Sequence, residues 1–533
     1  MTRRSFWAWG LESDEPTEEA RREAAERLSK RFGVALEPPP MPRVEDLDLR
    51  PPRIEVPEPL AEFCATDPHS RASHAYGKSF RDIVRAFNRV FPNPPDVVAR
   101  PRNEDEVRQV LEWCSERGYV AIPYGGGSSV VGGVEPPEES RGIVTIDLGA
   151  MDRVLEIDPT SRAARIQAGV LGPALEAQLR PHGFTLRHYP QSFEYSSLGG
   201  WIATRSGGHY ATNHTHIDDF VESVRMLTPS GPWESRRLPG SGAGPSPDRL
   251  VIGSEGILGI ITEAWMRIQA RPRFRASAGV VFPSFEAAAE GARQVVQAKL
   301  WPANCRVLDA GEAAAAAGLD GTEALLILGF ESAEVPQDAA VQAAVEIARS
   351  AGGRVDDAGI RVSDDGADSE VGRQGAVGTW RNSFIRAPYQ RNLTVGLGLV
   401  GDTFETSITW DRWPEFDARV REAVGRALRE VCGGGTLTCR FTHVYPDGPA
   451  PYYTFQGLGR RGAELEQWAA IKQAASDAVL AGGGTITHHH AVGRDHRPWY
   501  DRQRPGLFAE ALRAVKRVVD PAGILNPGVL IDP

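Results

Sequence analysis

Three consecutive histidines, His488, His489 and His490, stand in a 533-residue chain that contains only 12 histidines. Imidazole gains and loses a proton near neutral pH and is a common metal ligand. The run therefore predicts either a proton-transfer site or a metal site. It follows a glycine run and a short apolar stretch, which predicts a strand. On a strand, His488 and His490 would face one side and His489 the other, so one ion could not readily bind all three.

A glycine-rich loop with the sequence PYGGGSSVVGGVEP runs from Pro123 to Pro136. Its glycines let the backbone approach a ligand closely and turn N–H groups inward to bind an anion. The loop lacks the Gly-Lys-Ser/Thr of a Walker motif. It also does not open a helix as G-x-G-x-x-G, which disfavours a Rossmann NAD site. We predict a cofactor-binding loop, with a tight turn between strands as the plainer alternative.

Two further segments, 188–231 and 253–268, are rich in glycine, serine and threonine at the ends of expected strands. Such residues suit a long polar cofactor that is bound largely through backbone groups. The separate histidines of the first segment, His209, His214 and His216, are expected to be polar or packing residues and not catalysts.

The elements that must position these residues fall into four predicted regions. Residues 1–92 form an N-terminal arm with helical and proline-rich extended pieces, in which Thr17 begins a helix that Gly33 ends. Residues 93–274 form the cofactor-binding domain, which opens with a strand, a helix capped by Asn103 and a second strand.

Residues 275–480 alternate strands with helices, which predicts an α+β cap domain of antiparallel strands with helices on one face. Residues 481–533 are expected to pack on the cofactor site. Within these regions, the acidic, glycine-rich segment 361–380 is expected to be mobile, and residues 500–520 are expected to form a last helix.

Composition narrows the class of protein. The net charge is −10, so the molecule as a whole offers no electrostatic footprint for nucleic acid. The five cysteines are scattered without a C-x-x-C pair, which fits a reducing compartment. The sequence has neither a signal peptide, nor an apolar run long enough to span a membrane, nor a peroxisomal C-terminus, so a cytoplasmic location is expected.

The glycine loop, the G-G-W segment at 199–201 and the sequence GSEGILGIIT at 253–262 occur in the order found in flavoproteins of the vanillyl-alcohol oxidase type, which the chain resembles. The resemblance implies a two-subdomain, PCMH-type FAD-binding domain. Some members attach flavin through a histidine in the first loop. Here that loop holds serines, so FAD is expected to bind non-covalently. The implied cofactor contacts are Pro123, Tyr124, Gly125, Gly126, Gly127, Ser128, Ser129, Gln191, Ser192, Ser197, Gly200, Thr204, Gly207, Gly253, Glu255, Gly256, Gly259, Ile260 and Ile261.

A narrower resemblance is carried by FWAWG near the N-terminus, FETS with WDR after it, CRFTHVY, and HHHAVG followed by a tryptophan. These motifs are similar to those of the alkyldihydroxyacetonephosphate synthase family, over most of the chain from Phe6 to Leu530. The resemblance implies exchange of the fatty acid of acyl-dihydroxyacetone phosphate for a fatty alcohol, without net redox change. Because these substrates are lipid-like, peripheral contact with a membrane is left open. A homodimer is left open as well.

The family's functional residues fall on named positions of this chain. The implied catalytic residues are Tyr452, His488, His489, His490 and His188, and the implied substrate-binding residues are Arg306, Arg386 and Thr403. Tyr453 adjoins Tyr452, so the sequence leaves the choice of tyrosine open. Gln191 stands where the family has an acidic residue, which puts the substrate in doubt.

The main alternative is an FAD-linked 2-hydroxy-acid dehydrogenase or oxidase. Those enzymes tend to read G-E-H-G-x-G where this chain reads HHHAVG, and their GDGNxH motif is missing here, so no metal is expected. A second alternative is a flavin-binding protein without catalysis, which the cluster of histidine, tyrosine and arginine disfavours.

Overall fold

The computed structural model describes residues 3–139, 141–210, 216–355, 359–364, 371 and 374–532. These residues form four β-sheets of four, five, two and seven strands, together with flanking helices. The predicted α+β class is confirmed. His214 lies outside the described residues.

The strands and helices are numbered in chain order. The strands are β1 (Cys64–Ala65), β2 (Val97–Ala99), β3 (Val120–Tyr124), β4 (Ile143–Asp147), β5 (Val154–Asp158), β6 (Ala163–Gln167), β7 (Phe184–Thr185), β8 (Val221–Thr228), β9 (Gly231–Glu234), β10 (Ile260–Arg267), β11 (Gln269–Ala270), β12 (Phe274–Phe282), β13 (Asn304–Leu308), β14 (Ala324–Ser332), β15 (Ile360–Ser363), β16 (Leu399–Glu405), β17 (Thr436–Val444) and β18 (Pro449–Leu458). The helices are α1 (Glu18–Phe32), α2 (Pro68–Ser73), α3 (Phe80–Phe87), α4 (Glu104–Arg117), α5 (Gly172–Leu179), α6 (Leu198–Thr204), α7 (Asp248–Val251), α8 (Phe285–Gln297), α9 (Ala310–Glu312), α10 (Asp338–Ser350), α11 (Gly375–Thr394), α12 (Trp413–Cys432), α13 (Glu464–Ala481), α14 (Arg497–Gln503) and α15 (Gly506–Val519).

Helix termini follow the capping signals of the sequence. The Thr17 hydroxyl accepts a hydrogen bond from the Ala20 amide, and Gly33 ends α1 in the left-handed conformation. Asn103 caps α4 by accepting from the Glu106 amide, and Gly118 ends that helix. The predicted strand, helix and second strand are β2, α4 and β3.

The N-terminal half contains two main sheets. The first has the strand order β1-β2-β4-β3, and β2, β4 and β3 run parallel. The second is antiparallel, in the order β5-β6-β10-β8-β9. The glycine loop leaves the carboxyl end of β3, and β10 begins directly after the GSEG turn, so both chemical motifs sit at strand ends.

The seven-stranded cap sheet is antiparallel, in the order β15-β12-β14-β13-β17-β18-β16. Leu326 and Leu328 of β14 pack into the main cap core, whereas Leu325 and Ile327 pack with Trp380 of α11 on the opposite face. The prediction of helices on one face is therefore wrong. The continuous apolar run of β14 indicates a strand that is buried on both sides.

The segment 361–380 is only partly as predicted. Residues 361–363 lie in β15, and α11 begins at Gly375 and buries Trp380 to 1% exposure. At these positions the expectation of mobility is wrong, because an aromatic anchor fixes the helix on the sheet. Residues 365–370, 372 and 373 lie outside the described residues.

The C-terminal segment packs on the cofactor-binding half, where the Ala121 amide donates to the Ile524 carbonyl. The expected helix over 500–520 is instead two helices, α14 and α15, separated at Pro505, which cannot supply an N–H to continue the first. His488, His489 and His490 form bends and not a strand, so the expected alternation of their side chains is wrong. The domain boundaries at residues 92, 274 and 480 stay predictions.

Candidate active site

One buried carboxylate holds the histidine run. Glu405, at the end of β16, is 1% exposed. It accepts hydrogen bonds from the backbone amides of His488 at 2.6 Å, His489 at 3.1 Å and His490 at 2.9 Å. The Thr487 hydroxyl donates to the same carboxylate at 2.6 Å. The run is therefore a tight turn wrapped around an anion.

Strand alternation decides between the two tyrosines. Tyr452 on β18 lies opposite Glu405 and Arg440, whereas Tyr453 lies opposite Phe404 and Cys439. Paired residues share a face of the sheet. The structure therefore places Tyr452 beside the histidines.

The immediate contacts of the two tyrosines differ accordingly. The Tyr452 ring lies 6.0 Å from the His489 ring and 5.4 Å from the His490 ring, and its hydroxyl donates to the Thr403 hydroxyl at 3.0 Å. Tyr453 is fully buried in the cap core and donates to Asp417 at 2.8 Å. The structure thus brings the predicted residues Tyr452, Thr403 and the histidines together.

Burial keeps the imidazole rings of this cluster neutral at physiological pH. It lowers the pKa of His489 to about 3, against the opposing effect of Glu405, and that of His490 to about 4. It also raises the pKa of the Tyr452 hydroxyl. Burial alone would raise the pKa of Glu405, but the adjacent histidines and the Thr487 hydroxyl lower it below its ordinary value. At neutral pH the cluster therefore holds neutral imidazoles, a protonated phenol and one carboxylate.

Arg306 on β13 is a buried cation, with 2% of its surface exposed. Among the described residues it forms no ion pair, and its Nε and Nη1 atoms have no hydrogen-bond partner. Its guanidinium lies over the rings of Trp380, at 5.0 Å, and Phe384, at 5.3 Å. Burial and the nearby Arg440 lower its pKa to about 9. A buried guanidinium without a counter-ion among the described residues is costly, so the site is built for an anion.

The neighbours of Arg306 are residues that the sequence did not single out for chemistry. His209 accepts from Arg306 Nη2 at 3.2 Å, and Asn304 contacts the other nitrogen of the same ring at 2.9 Å. His209, expected to be a polar or packing residue, thus contacts the arginine directly. Arg440 also lies nearby, but Glu312 neutralises it at 2.7 Å.

His188 lies behind a glycine segment. It is 1% exposed, its Nε2 contacts the Ser206 hydroxyl at 3.2 Å, and its Nδ1 has no partner among the described residues. A Cβ on Gly207 would lie 3.4 Å from the His489 Cβ, and one on Gly208 would lie 3.0 Å from His188 Nδ1. Gly207 and Gly208 therefore separate His188 from the histidine run, which favours a positioning role for His188.

The glycine loop packs tightly on the second cofactor segment. A Cβ on Gly125 would lie 2.1 Å from the Ser197 hydroxyl oxygen, and one on Gly126 would lie 1.9 Å from the Tyr195 carbonyl oxygen. The backbone N–H groups of residues 125–128 donate to no group among the described residues. Four consecutive unpaired N–H groups form an anion-binding nest, which fits the pyrophosphate of a dinucleotide.

The third cofactor segment closes on the C-terminal region. Glu255 accepts from the amides of Val492 at 2.8 Å and Gly493 at 2.7 Å. Asn526 donates to the carbonyls of Gly133 and Glu255. Its Oδ1 and the Ser254 hydroxyl are buried and have no hydrogen-bond partner in the described part of the chain. These unpartnered polar atoms, together with the nest, fit a long polar cofactor.

The other predicted cofactor residues lie around this junction. Ser197 caps α6, Gly200 and Thr204 lie within that helix, and Gly207 follows it. Pro123 packs on Gly256, and Gly253 packs on Arg205. The side chains of Ile260 and Ile261 are buried in the core, so any contact from them is through the backbone.

Five predicted residues have other local roles, and their contacts to cofactor stay predictions. Tyr124 donates to the Ser73 carbonyl, Ser192 donates to Ser196, and the Ser129 hydroxyl accepts from the Gly133 amide. Gly259 packs against Met226. Gln191 donates to the Phe384 carbonyl at 2.8 Å, which ties the cofactor segment to α11.

Arg386 is exposed on α11. It is two residues from Phe384, which contacts Arg306, and residues two apart on a helix point in nearly opposite directions. Its predicted role in substrate binding stays a prediction. One ring nitrogen of each of His443, His488 and His489 lies within 4.8 Å of the others. That closeness leaves the expected lack of metal as a prediction too.

Family comparisons agree with the two halves of the chain. Residues 95–235 match the family described as FAD binding domain, and residues 271–530 match the C-terminal domain of FAD linked oxidases. An alkyldihydroxyacetonephosphate synthase of Dictyostelium discoideum is 30% identical over 530 residues, covering 93% of this chain and 84% of that protein. The chain belongs to the alkyldihydroxyacetonephosphate synthase family. FAD is its cofactor, as predicted.

Solved structures support the membership. A structure of an alkyldihydroxyacetonephosphate synthase superposes with a TM-score of 0.77 at 27% identity, covering 95% of this chain and 92% of the other. A p-cresol methylhydroxylase, at 16% identity and a TM-score of 0.67, shares the fold.

A glycolate oxidase subunit of Bacillus subtilis is 26% identical over 82% of this chain. Among the described residues of this family member, no helix has the length and apolarity to cross a bilayer.

The nest predicts that Gly126→Ala weakens FAD binding about tenfold or more. The added Cβ would overlap a backbone carbonyl, and the loop must move to relieve it. Flavin fluorescence titration of the FAD-free protein measures the effect. Gly242→Ala is the matched control, because a Cβ there meets nothing within 4 Å. Equal affinities for the two variants would show that the loop does not hold the cofactor.

The buried carboxyl of Glu255 should make the stability of the folded protein depend on pH. Burial raises the pKa of Glu255 from its ordinary value of 4.5 to about 7. A carboxyl whose folded-state pKa is raised loses its contribution to stability as the pH rises from about 4.5 through about 7. Glu255→Gln, which mimics the neutral carboxyl, should therefore gain about 3 kcal/mol relative to the parent between pH 4.5 and pH 8. Urea unfolding of both FAD-loaded proteins across that range is the measurement, and parallel pH profiles would contradict the assignment.

Proposed function

We propose that the protein is a flavin-dependent alkyl transferase that replaces the fatty acid of acyl-dihydroxyacetone phosphate with a fatty alcohol. Its relatives carry the synthase name, and Tyr452, Thr403 and the histidine run lie together beside the buried Glu405. The reaction involves no net redox change.

The observation that carries the proposal is the position of Arg306. This buried cation has no counter-ion among the described residues and lies on the same face of the cap sheet as Tyr452 and Glu405. Arg306 and Leu308 are two residues apart on β13, Leu308 lies opposite Arg440, and Arg440 lies opposite Tyr452. A phosphate monoester bound at Arg306 would supply the missing anion, since a guanidinium forms strong paired hydrogen bonds with phosphate. The rest of such a substrate would extend toward the tyrosine and the histidines.

The chain's own residues suit the proton transfers. His489 is neutral and can accept a proton from the carbon beside the ketone. The imidazolium so formed would lie with Nδ1 3.5 Å from Glu405 Oε2, so the carboxylate stabilises it only after transfer. Tyr452, whose pKa is raised, can donate to the departing carboxylate. When bound, oxidised FAD would supply an electron sink for this chemistry.

The alternative activity is oxidation of a 2-hydroxy acid. The similarity to the glycolate oxidase subunit keeps it as an outcome to test. Such a substrate presents a carboxylate, which Arg306 could also bind. Loss of flavin absorbance on adding a 2-hydroxy acid without oxygen would favour this alternative.

The deciding experiment combines FAD-loaded protein with acyl-dihydroxyacetone phosphate and a labelled fatty alcohol. Labelled ether product and released fatty acid in equal amounts are expected, with no change in the flavin's redox state. His489→Ala, with its flavin spectrum unchanged, serves as the inactive comparison. Absence of labelled ether from the parent protein would reject the synthase function.

A further inference from the structure

A chain of hydrogen bonds leads away from His489. Its Nδ1 lies 3.0 Å from His488 Nδ1, and His488 Nε2 lies 2.6 Å from the Tyr445 hydroxyl. The same hydroxyl lies 3.2 Å from His216 Nε2. At the far end, His216 Nδ1 contacts the Arg205 carbonyl at 3.0 Å, in an exposed position. Tyr445 lies in the turn between β17 and β18, and His216 belongs to the cofactor-binding half. The hydrogen-bond chain therefore joins both halves of the protein.

The Arg205 carbonyl fixes the proton positions along this chain. A carbonyl only accepts, so His216 Nδ1 carries the proton and His216 Nε2 accepts one. Tyr445 must then donate to His216 and accept from His488 Nε2–H. His488 Nδ1 is consequently the acceptor, and His489 Nδ1 carries the proton. Each neutral ring has one proton, so His489 Nε2 is left with a free lone pair.

We propose that Tyr445 and His216 form a proton relay that sets the tautomer of His489 and carries the positive charge out of the buried cluster. The relay deepens the proposed function and rests on it. When His489 Nε2 takes a proton from the substrate carbon, the Nδ1 proton passes to His488 and the His488 Nε2 proton passes to Tyr445. The Tyr445 proton passes to His216, which becomes the imidazolium. The reverse sequence returns one proton through His489 Nε2.

The need for such a relay follows from burial. Burial disfavours a charge on His489 and on His488, and it lowers the pKa of both below the ordinary value. His443, whose ring lies 4.9 Å from that of His488, is equally unsuited to charge because burial also depresses its pKa well below normal. His216 is only partly buried, so a charge at this end of the hydrogen-bond chain carries a smaller burial penalty.

The first test measures the proton positions and does not depend on turnover. In FAD-loaded protein with 15N-labelled histidine, long-range NMR correlations report which ring nitrogen carries the proton. The signals of His489 and His216 are assigned by their loss in His489→Gln and His216→Gln. His489 is expected to carry its proton on Nδ1. A proton on Nε2 would overturn the proposal, whether or not the protein makes ether lipid.

The second test measures proton transfer in acyl-dihydroxyacetone phosphate incubated with FAD-loaded protein in D2O, without the alcohol. Tyr445→Phe and His216→Gln should each slow deuterium entry beside the ketone about tenfold or more, because neither replacement can take up a proton and pass it on. The phenylalanine should also change the His489 tautomer signals. Tyr119→Phe, a similar change outside the site, should leave the rate unchanged.

The outcomes separate the two proposals. Unchanged deuterium entry in both relay variants, with normal entry in the parent, would overturn the relay and leave the function standing. Deuterium entry that depends on Tyr445, without any ether product from the parent, would support the relay and reject the synthase function. If Tyr445→Phe fails to bind FAD, it is replaced by Tyr445→His, whose neutral ring has one nitrogen that donates and one that accepts, and which should keep part of the rate.

Discussion

Tyr452→Phe is expected to lower kcat for ether formation by about a thousandfold while FAD stays bound. The variant removes one oxygen atom, and the ring keeps its place between Arg440, 4.0 Å from the ring centroid, and the histidines. A positioned acid contributes on the order of 10²–10⁴-fold to a proton-transfer step. The raised pKa of the Tyr452 hydroxyl keeps it protonated at neutral pH and therefore able to donate.

The neighbouring tyrosine provides the control for this prediction. Tyr453→Phe also removes one buried hydroxyl, but its partner is Asp417 on the far side of the sheet. We expect lower stability, by about 1–3 kcal/mol, because Asp417 Oδ1 loses its donor while Oδ2 keeps Arg421, and a kcat within about threefold of the parent. Single-turnover and steady-state assays of both variants, with flavin spectra, are the measurements. Equal loss of kcat in both would mean that the site tolerates no change in this strand and that Tyr452 has no special role.

Thr403 separates the acid role of Tyr452 from its orientation. The Thr403 hydroxyl accepts a hydrogen bond from the Tyr452 hydroxyl, so it holds that hydroxyl in one direction. The role of Thr403 in substrate binding stays a prediction, and its contact to Tyr452 offers a second explanation for its place just before the FETS motif.

Local structure was largely predictable from the sequence. The caps of α1 and α4, at Thr17 and Asn103, depend on residues only three positions apart, so the sequence shows them directly. The glycine loop was also visible in the sequence. Its close packing leaves no room for a Cβ, so glycine is required at these positions. Resemblance to known motifs located the histidines and Tyr452.

Long-range contacts were not predictable in the same way. Glu405 and His488 are 83 residues apart, and Tyr445 and His216 are 229 apart. The histidine run alternates apolar and polar residues poorly, and its turn exists only because a distant carboxylate accepts three consecutive amides. The sequence does not show where the Glu405 carboxylate lies. It therefore predicts a strand for the histidine run, whereas the structure has a turn. The choice of Tyr452 over Tyr453 likewise required the face of the sheet that only pairing with β16 and β17 defines.

Glu405→Gln is the second large effect that we expect, with a loss of kcat of about a hundredfold or more. The carboxylate offers acceptors to four donors, namely the amides of three histidines and the Thr487 hydroxyl. Glutamine has one acceptor oxygen, and its NH2 group would face at least one of these N–H groups. The turn must open to relieve the conflict, which moves His489 relative to Tyr452. Displacement by even about 1 Å can cost two orders of magnitude in rate.

Stability should fall with activity in Glu405→Gln, by about 3 kcal/mol, because buried amides lose a charged acceptor. Asp96→Asn is the matched control. Asp96 is a fully buried carboxylate that accepts from the Ile143 amide in the cofactor-binding half. This control should lose stability and keep kcat. Urea unfolding and steady-state kinetics of the two variants, each loaded with FAD, make the comparison.

The pH dependence gives this second prediction a signature that general destabilisation does not share. The pKa of Glu405 is lowered in the folded protein, so its contribution to stability is present above its ordinary value of 4.5 and is lost as the pH falls below it. Glu255, whose pKa is raised, has the opposite sign. The difference in stability between the parent and Glu405→Gln should therefore shrink toward acid, whereas the difference for Glu255→Gln should grow toward alkali. A constant difference for Glu405→Gln from pH 3 to pH 8 would show that the turn does not depend on a carboxylate charge, and the role given to Glu405 in holding His489 would be wrong.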